Sequence, residues 1–155
     1  AADAEAAKYF EAELREIDRQ SRAAAFSEKD RLRKELFSIR EKYMSNVFAQ
    51  AAERLSEFTA GSDYAAFLNA KAAEAAAQGD FAGGTLYLRQ EDLSYADALT
   101  KALPGCTAAA SPEIHLGGLI AVSADGRTRL DLSLDAALEG QKQWFFSNSK
   151  LDITL

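Results

Sequence analysis

The sequence is poor in the residues that usually perform chemistry, since it holds one cysteine, Cys106, and one histidine, His115. A single cysteine excludes an intrachain disulfide within this sequence and is typical of a reducing, cytoplasmic compartment. No carboxylates cluster with them at metal-ligand spacing, which argues against a metal site. Only one loop separates the two residues, so a small enzyme with a cysteine–histidine pair stays an alternative.

Long apolar runs are also lacking, because no segment approaches the roughly 20 apolar residues that cross a bilayer. We therefore expect any membrane association to be indirect, through partners. The chain begins at Ala1 without a methionine or a visible signal peptide, and we expect a missing or trimmed start. Acidic residues number 24 against 18 basic ones, for a net charge of −6. The acidic excess follows Phe58 and disfavours a DNA or RNA partner.

Glycine and proline are missing from residues 1–58, where good helix formers dominate. This composition predicts one long helical arm over residues 1–58, either continuous or broken near residues 23–27. Large apolar side chains are sparse in its first half, too sparse for a domain core. They are the candidate contacts for a partner helix: Tyr9, Phe10, Leu14 and Ile17.

The second half of this helix is richer in apolar residues, several of which recur at a spacing of eleven, such as Leu32 with Tyr43 and Leu36 with Val47. An eleven-residue repeat favours a right-handed supercoil with another helix. An amphipathic helix packed on a domain core would give the same pattern over so few turns. We expect core packing from Leu36 onward and contact with a partner helix before it.

After residue 58, turn residues separate short apolar segments, which predicts an α+β domain over residues 59–155. Its small mixed or antiparallel sheet should be flanked by helices. Gly61-Ser62-Asp63 should end the first helix and cap the second. The predicted elements are helices over Tyr64–Gln78 and Glu91–Leu103, strands over Thr85–Arg89 and Cys106–Ala110, then a hairpin and a last helix.

The stretch from Gly117 to Leu134 predicts a β-hairpin that leads directly into a helix. Asp125-Gly126 between two apolar segments indicates a tight two-residue type I′ turn. The first strand is apolar on both faces, whereas the second alternates leucine with charged residues. Asp131 or Ser133 can cap the helix. The residues predicted to shape turns or caps are Gly117, Gly118, Asp125, Gly126, Asp131 and Ser133.

The two glycine pairs, Gly83-Gly84 and Gly117-Gly118, do not fit a phosphate-binding loop, because neither precedes Lys-Ser/Thr or opens a helix after a strand. We expect close backbone approach at both. The aromatic run Trp144-Phe145-Phe146 should pack in a core, with partner contact as the alternative. The sequence thus predicts no catalytic, cofactor-binding or metal-binding residue.

The run from Gly117 to Leu138 resembles the end of the E-type stalk protein of V-type (A/V-type) rotary ATPases. In chain order, the matching motifs are Gly117-Gly118, Asp125-Gly126-Arg127, Leu130-Asp131 and Ser133-Leu134-Asp135. Ser111-Pro112-Glu113-Ile114 resembles the loop before them. The sequence departs from the family pattern at Leu132, where Asn is frequent, at Ala137, where Arg is frequent, and in its tail from Gln141 to Leu155.

The resemblance implies a non-catalytic peripheral-stalk, or stator, subunit that links the catalytic head to the membrane sector and resists torque during ATP-coupled ion transport. It implies a stalk-helix partner of the G or H type, head subunits as further partners, no cofactor, and a cytoplasmic location attached to the membrane through the complex. A stator-like regulator of flagellar or type III export ATPases shares a related ending and stays an alternative. The Asp-Gly turn with Arg127 and Arg129 favours the rotary ATPase.

Overall fold

The computed structural model describes residues 2–148, with side chains from residue 4 onward. In chain order its elements are α1 (Ala2–Thr59), α2 (Tyr64–Gln78), β1 (Thr85–Leu88), a 3₁₀ helix (Gln90–Tyr95), α3 (Ala96–Leu99), β2 (Thr107–Ala110), β3 (Gly118–Val122), β4 (Arg129–Ser133) and α4 (Leu134–Asn148). The predicted α+β class, with a long N-terminal helix and a small mixed sheet, is confirmed. The end of the divergent tail lies outside the described residues.

Helix α1 runs without a break through residues 23–27, because no glycine or proline interrupts its backbone hydrogen bonds. It ends at Thr59, where the N–H of Gly61 donates to the carbonyl of Phe58 at 3.0 Å. Contacts divide the described chain into two compact units, α1 up to Ser45 and the segment from Asn46 onward. The last turns of α1 therefore belong to the same unit as the sheet.

The four strands form one mixed sheet in the order β2-β1-β3-β4. β1 pairs with β2 in parallel, whereas β3 is antiparallel to both β1 and β4. A parallel pair needs a crossover connection, which the 3₁₀ helix and α3 provide between β1 and β2. β2 and β4 are the edge strands.

Helix α2 covers one face of the sheet and forms the core with it. The buried side chains of this layer are Tyr64, Leu68, Ala72 and Ala75 from α2, and Leu86, Leu88, Leu119 and Ala121 from the strands. Small alanines on α2 let the helix lie close to the sheet. The end of α1 joins this core, because the ring of Phe58 packs edge-to-face on Tyr64 and on Phe67.

The aromatic residues of α4 divide between packing and solvent. Phe145 packs edge-to-face on Phe48 of α1, with 6.2 Å between the ring centroids. Trp144 and Phe146 are more than half exposed. The expectation that all three belong to a core therefore holds only for Phe145.

Two predicted details are wrong. The helix expected over Glu91–Leu103 is a 3₁₀ helix followed by the short α3. At the start of this segment, buried Asp92 is bound by Arg89 and by Tyr64 of α2. Asp63 occupies the position before α2, but its side chain forms no capping hydrogen bond with the described residues.

Candidate interaction surface

The hairpin between β3 and β4 is present, but the predicted two-residue turn is wrong. The last strand pair is Val122 with Arg129, so six residues connect the strands. The N–H of Gly126 donates to the carbonyl of Ser123 at 2.9 Å. Every positive φ angle among the described residues belongs to a glycine, including Gly126 at 71°. Asp125 therefore does not take the conformation that a type I′ turn requires.

Asp125 shapes this turn through its side chain instead. Its carboxylate accepts hydrogen bonds from the Ser123 hydroxyl at 2.6 Å and from the Arg127 N–H at 3.1 Å. These bonds, above all the one from Ser123, lower the pKa of Asp125. The Ser123 hydroxyl oxygen also accepts from the N–H of Thr128. Side-chain acceptors thus replace part of the strand ladder, which explains the longer loop.

Gly117 and Gly118 lie where the backbone passes close to other parts of the domain. Their φ angles are 128° and 88°, which side chains rarely adopt. A Cβ atom on Gly117 would lie 2.5 Å from the Tyr64 hydroxyl. One on Gly118 would lie 2.7 Å from the Leu132 carbonyl oxygen. Close approach to neighbouring groups, rather than a ligand, accounts for both glycines.

Tyr64 connects three parts of the domain through its buried hydroxyl. The hydroxyl donates to the Asp92 carboxylate at 2.6 Å and accepts from the N–H of Gly118 at 2.8 Å. Arg89 donates to the same carboxylate at 2.9 and 3.2 Å. Burial, with the hydrogen bond to Asp92, raises the pKa of Tyr64 above its ordinary range. This network closes the core and leaves its charges paired.

Ser133 caps α4, because its hydroxyl oxygen accepts a hydrogen bond from the N–H of Ala136 at 3.1 Å. Asp131 supports the cap by accepting from the Ser133 hydroxyl at 2.6 Å. Asp135, in the first turn, accepts from the N–H groups of His115 and Leu116. The carboxylates of this region thus fix backbone positions.

Cys106 and His115 have separate partners, which does not favour a catalytic pair. The Cys106 thiol donates to the Phe81 carbonyl at 2.8 Å. The exposed His115 ring contacts the carbonyl oxygen of Glu113 at 3.1 Å. Within residues 2–148, no group of three or more metal-binding side chains occurs. Over the same residues, no helix has the length and hydropathy of a membrane span.

The apolar surface of α1 is exposed to an extent unusual for side chains of this size. Tyr9, Phe10, Leu14 and Ile17 are 74, 67, 52 and 58% exposed. Phe10, Leu14 and Ile17 are spaced four and three residues apart, so they lie on one face of the helix. Tyr9 is exposed as well but points about 100° away from Phe10 around the helix axis. Exposed apolar area of this kind marks sites of association.

The core packing expected from Leu36 onward is wrong for several residues. Leu36, Phe37, Tyr43 and Val47 are exposed, and so is Ile39. Leu55, further along the helix, does pack against the core. Periodicity alone could not separate these cases, since both surfaces of a helix repeat with a similar spacing.

Seven of the exposed apolar residues of α1 form a regular stripe, which we name the seam: Phe10, Leu14, Ile17, Leu32, Leu36, Ile39 and Tyr43. Leu14 and Leu36 are two eleven-residue repeats apart, as are Phe10 and Leu32. Ser21 and Ala25 occupy intervening seam positions, and Glu28 lies at the edge of the seam on the side of Glu35. The continuation through Ile39 was not predicted, although the spacing of Leu32 and Tyr43 carried the signal. A stripe of this period matches a right-handed supercoil of helices.

The polar surface of α1 carries ion pairs between residues three or four apart, such as Arg15 with Glu11 and Arg22 with Asp18. Arg31 donates to both Glu28 and Glu35. The hydrogen bonds that Glu28 accepts from Arg31 lower the pKa of Glu28. Each exposed pair of this type adds only a few tenths of a kcal/mol to helix stability. The helix is thus stabilised locally, whereas its seam contacts no core of its own.

These features define an α+β protein with a long N-terminal helix whose apolar face is exposed. The family profile described as ATP synthase (E/31 kDa) subunit matches residues 1–148. The chain therefore belongs to this family, the E subunits of V-type ATP synthase. The resemblance stated from the hairpin motifs is confirmed, and the family match extends it over α1. No individually curated protein matches the chain.

Proposed function

We propose that the chain is a non-catalytic peripheral-stalk subunit of a V-type rotary ATPase or ATP synthase. In this role it links the catalytic head to the membrane sector and resists torque during ATP-coupled ion transport. The observation that carries the proposal is the exposed seam on α1 in a chain of the E-subunit family. A stator needs length and two attachments, and it needs no active site.

The long helix supplies the length. At 1.5 Å per residue, residues 2–45 span about 65 Å. An isolated helix gains little stability from propensity, so a partner that covers the seam would stabilise it further. We infer that residues 1–58 act as the stalk helix and that the partner is a G- or H-type stalk subunit. Tyr9, Phe10, Leu14 and Ile17 are proposed contacts.

The α+β domain, residues 59–155 with the end of α1, is proposed to bind the catalytic head. Its buried core and the capped start of α4 suit a docking module, because a loose domain would absorb torque rather than transmit it. Attachment to the membrane is then indirect, through the assembled complex. The chain itself should bind no nucleotide.

Affinity purification of the tagged full-length chain from its native source tests this function. Mass spectrometry should recover the catalytic-head subunits together with a small helical stalk subunit. Recovery of a flagellar or type III export ATPase would favour the alternative assembly, and recovery of neither would contradict a stator role. Titration of the purified chain with Mg²⁺-ATP should give no saturable heat, so micromolar binding would also contradict the proposal.

A further inference from the structure

The charges that border the seam are distributed unequally between its two sides. On one side, Lys29 and Arg33 stand next to Leu32 and Leu36, each three residues before one of these leucines. Neither Lys29 nor Arg33 has an ion-pair partner among residues 2–148. On the other side, Glu28 and Glu35 are both bound by Arg31, at 2.6 and 3.3 Å.

The spacing of the two unpaired cations is unfavourable for α1 alone. Lys29 and Arg33 are four residues apart, and like charges at this spacing destabilise a helix. Lys34, by contrast, pairs with Asp30 at 2.7 Å, and Arg22 pairs with Asp18 at 2.8 Å. Lys8, Lys42 and Arg54 of α1 also form no ion pair with the described residues, but none of the three has a like charge four residues away. Lys29 and Arg33 combine that unfavourable spacing with a position beside Leu32 and Leu36.

We propose that the helix that covers the seam carries carboxylates opposite Lys29 and Arg33. This inference rests on the proposed function, because it specifies the chemistry of the stalk partner. A complementary acidic flank converts the repulsion between Lys29 and Arg33 into two interhelical ion pairs, as charged flanking positions do in coiled coils. It fixes partner choice and register more than total affinity.

A second copy of this chain fits the seam less well. In a parallel pair, the flank with Lys29 and Arg33 would face Glu28 and Glu35 of the other copy. Those carboxylates already bind Arg31 of their own helix, so a new pairing would break existing bonds. An antiparallel pair would place the two cationic flanks together. A distinct helix with an acidic flank avoids both costs.

Two synthetic helices of equal length test the inference against the full-length chain. Both carry leucine at the eleven-residue seam positions, and their flanking positions are all glutamate in one and all lysine in the other. At low salt the chain should bind the glutamate helix on the order of tenfold more tightly, since each exposed pair contributes modestly. The preference should shrink as salt screens the charges.

Charge-reversed variants assign the preference to the two cations. The double variant Lys29→Glu/Arg33→Glu should reverse the preference between the two peptides. The control Lys8→Glu/Lys101→Glu changes the net charge equally, away from the seam, and should leave the preference intact. Equal binding of both peptides, or a preference that survives Lys29→Glu/Arg33→Glu, overturns the acidic-partner inference alone. If neither peptide binds and Leu32→Asp/Leu36→Asp leaves binding of the native stalk partner unchanged, the seam itself is no helix-binding surface, and the proposed function fails with it.

Discussion

The two units of this protein obey different physical rules. In α1 up to Ser45, the side-chain pairs are three or four residues apart and most large apolar side chains are exposed. In the unit from Asn46 onward, order depends on contacts between distant residues, such as Tyr64 with Gly118. The helix is specified by local sequence and leaves its seam exposed, whereas the domain is completed by its own core. Substitutions in the two units should therefore have separable effects.

The largest expected effect is the loss of the domain through Gly118→Ala. A Cβ atom here would lie 2.7 Å from the Leu132 carbonyl oxygen and 2.8 Å from the Ser133 Cα, at a φ of 88°. Backbone atoms cannot move aside easily, so we expect a cost of about 3–5 kcal/mol, measured by urea unfolding. The matched control is Gly140→Ala in α4, where a Cβ meets no described atom within 4 Å. That control should be neutral or stabilising by up to about 1 kcal/mol; equal losses would contradict the close-approach account.

Removal of the Tyr64 hydroxyl should have the second largest effect on stability. Tyr64→Phe leaves the Gly118 N–H without its acceptor and removes a donor from buried Asp92. We expect a loss of about 1–3 kcal/mol in the free energy of unfolding. Tyr95→Phe is the matched control, because the Tyr95 ring packs on Tyr64 but its hydroxyl has no hydrogen-bond partner among the described residues. If Tyr95→Phe lowers the free energy of unfolding by as much, the effect does not come from the hydrogen bonds of the Tyr64 hydroxyl.

The Tyr64 hydroxyl should also make the free energy of unfolding depend on pH. The pKa of Tyr64 is raised in the folded domain, so the unfolded chain releases this proton at a lower pH than the folded one. The contribution of protonated Tyr64 to the free energy of unfolding is fully present below about pH 10. Above that pH it falls by about 1.4 kcal/mol per pH unit. Urea unfolding between pH 9 and 11 should show a steeper decline for the natural chain than for Tyr64→Phe. Parallel declines would exclude Tyr64 as the source.

The hairpin turn should respond more weakly. Gly126→Val forces a β-branched residue into a φ of 71°, although the added atoms have open space among the described residues. Backbone strain alone should cost about 1–2 kcal/mol. Ala124→Val, in the same turn without a positive φ, should change the unfolding free energy by less than about 0.5 kcal/mol. A neutral Gly126→Val would mean that the turn relaxes into another conformation.

The sequence predicted best what depends on neighbouring residues. The limits of α2, the order of elements and the hairpin follow from periodicity and from turn residues such as Gly61 and Gly126. The detail of the turn did not follow, because Asp125 and Ser123 replace backbone bonds with side-chain bonds whose geometry no propensity encodes. The roles of Tyr64 and Asp92 were invisible, since 28 residues separate them. The exposure of Leu36 and Tyr43 was not predicted, because an apolar stripe has the same spacing whether it packs on the domain core or is exposed.

The separation of the two units is tested most directly by amide exchange on Leu14→Asp/Ile17→Asp, with and without the stalk-helix partner. In the natural chain, the partner should slow exchange across residues 9–17 and raise helicity beyond the sum of the separate proteins. The double variant should lose this protection, while exchange in the sheet stays the same and the unfolding free energy changes by less than about 0.5 kcal/mol. Ala12→Asp/Ala23→Asp, on the opposite face of the helix, should keep the protection. Unfolding of the whole chain by Leu14→Asp/Ile17→Asp would contradict the account, because it would mean that the seam is part of the core.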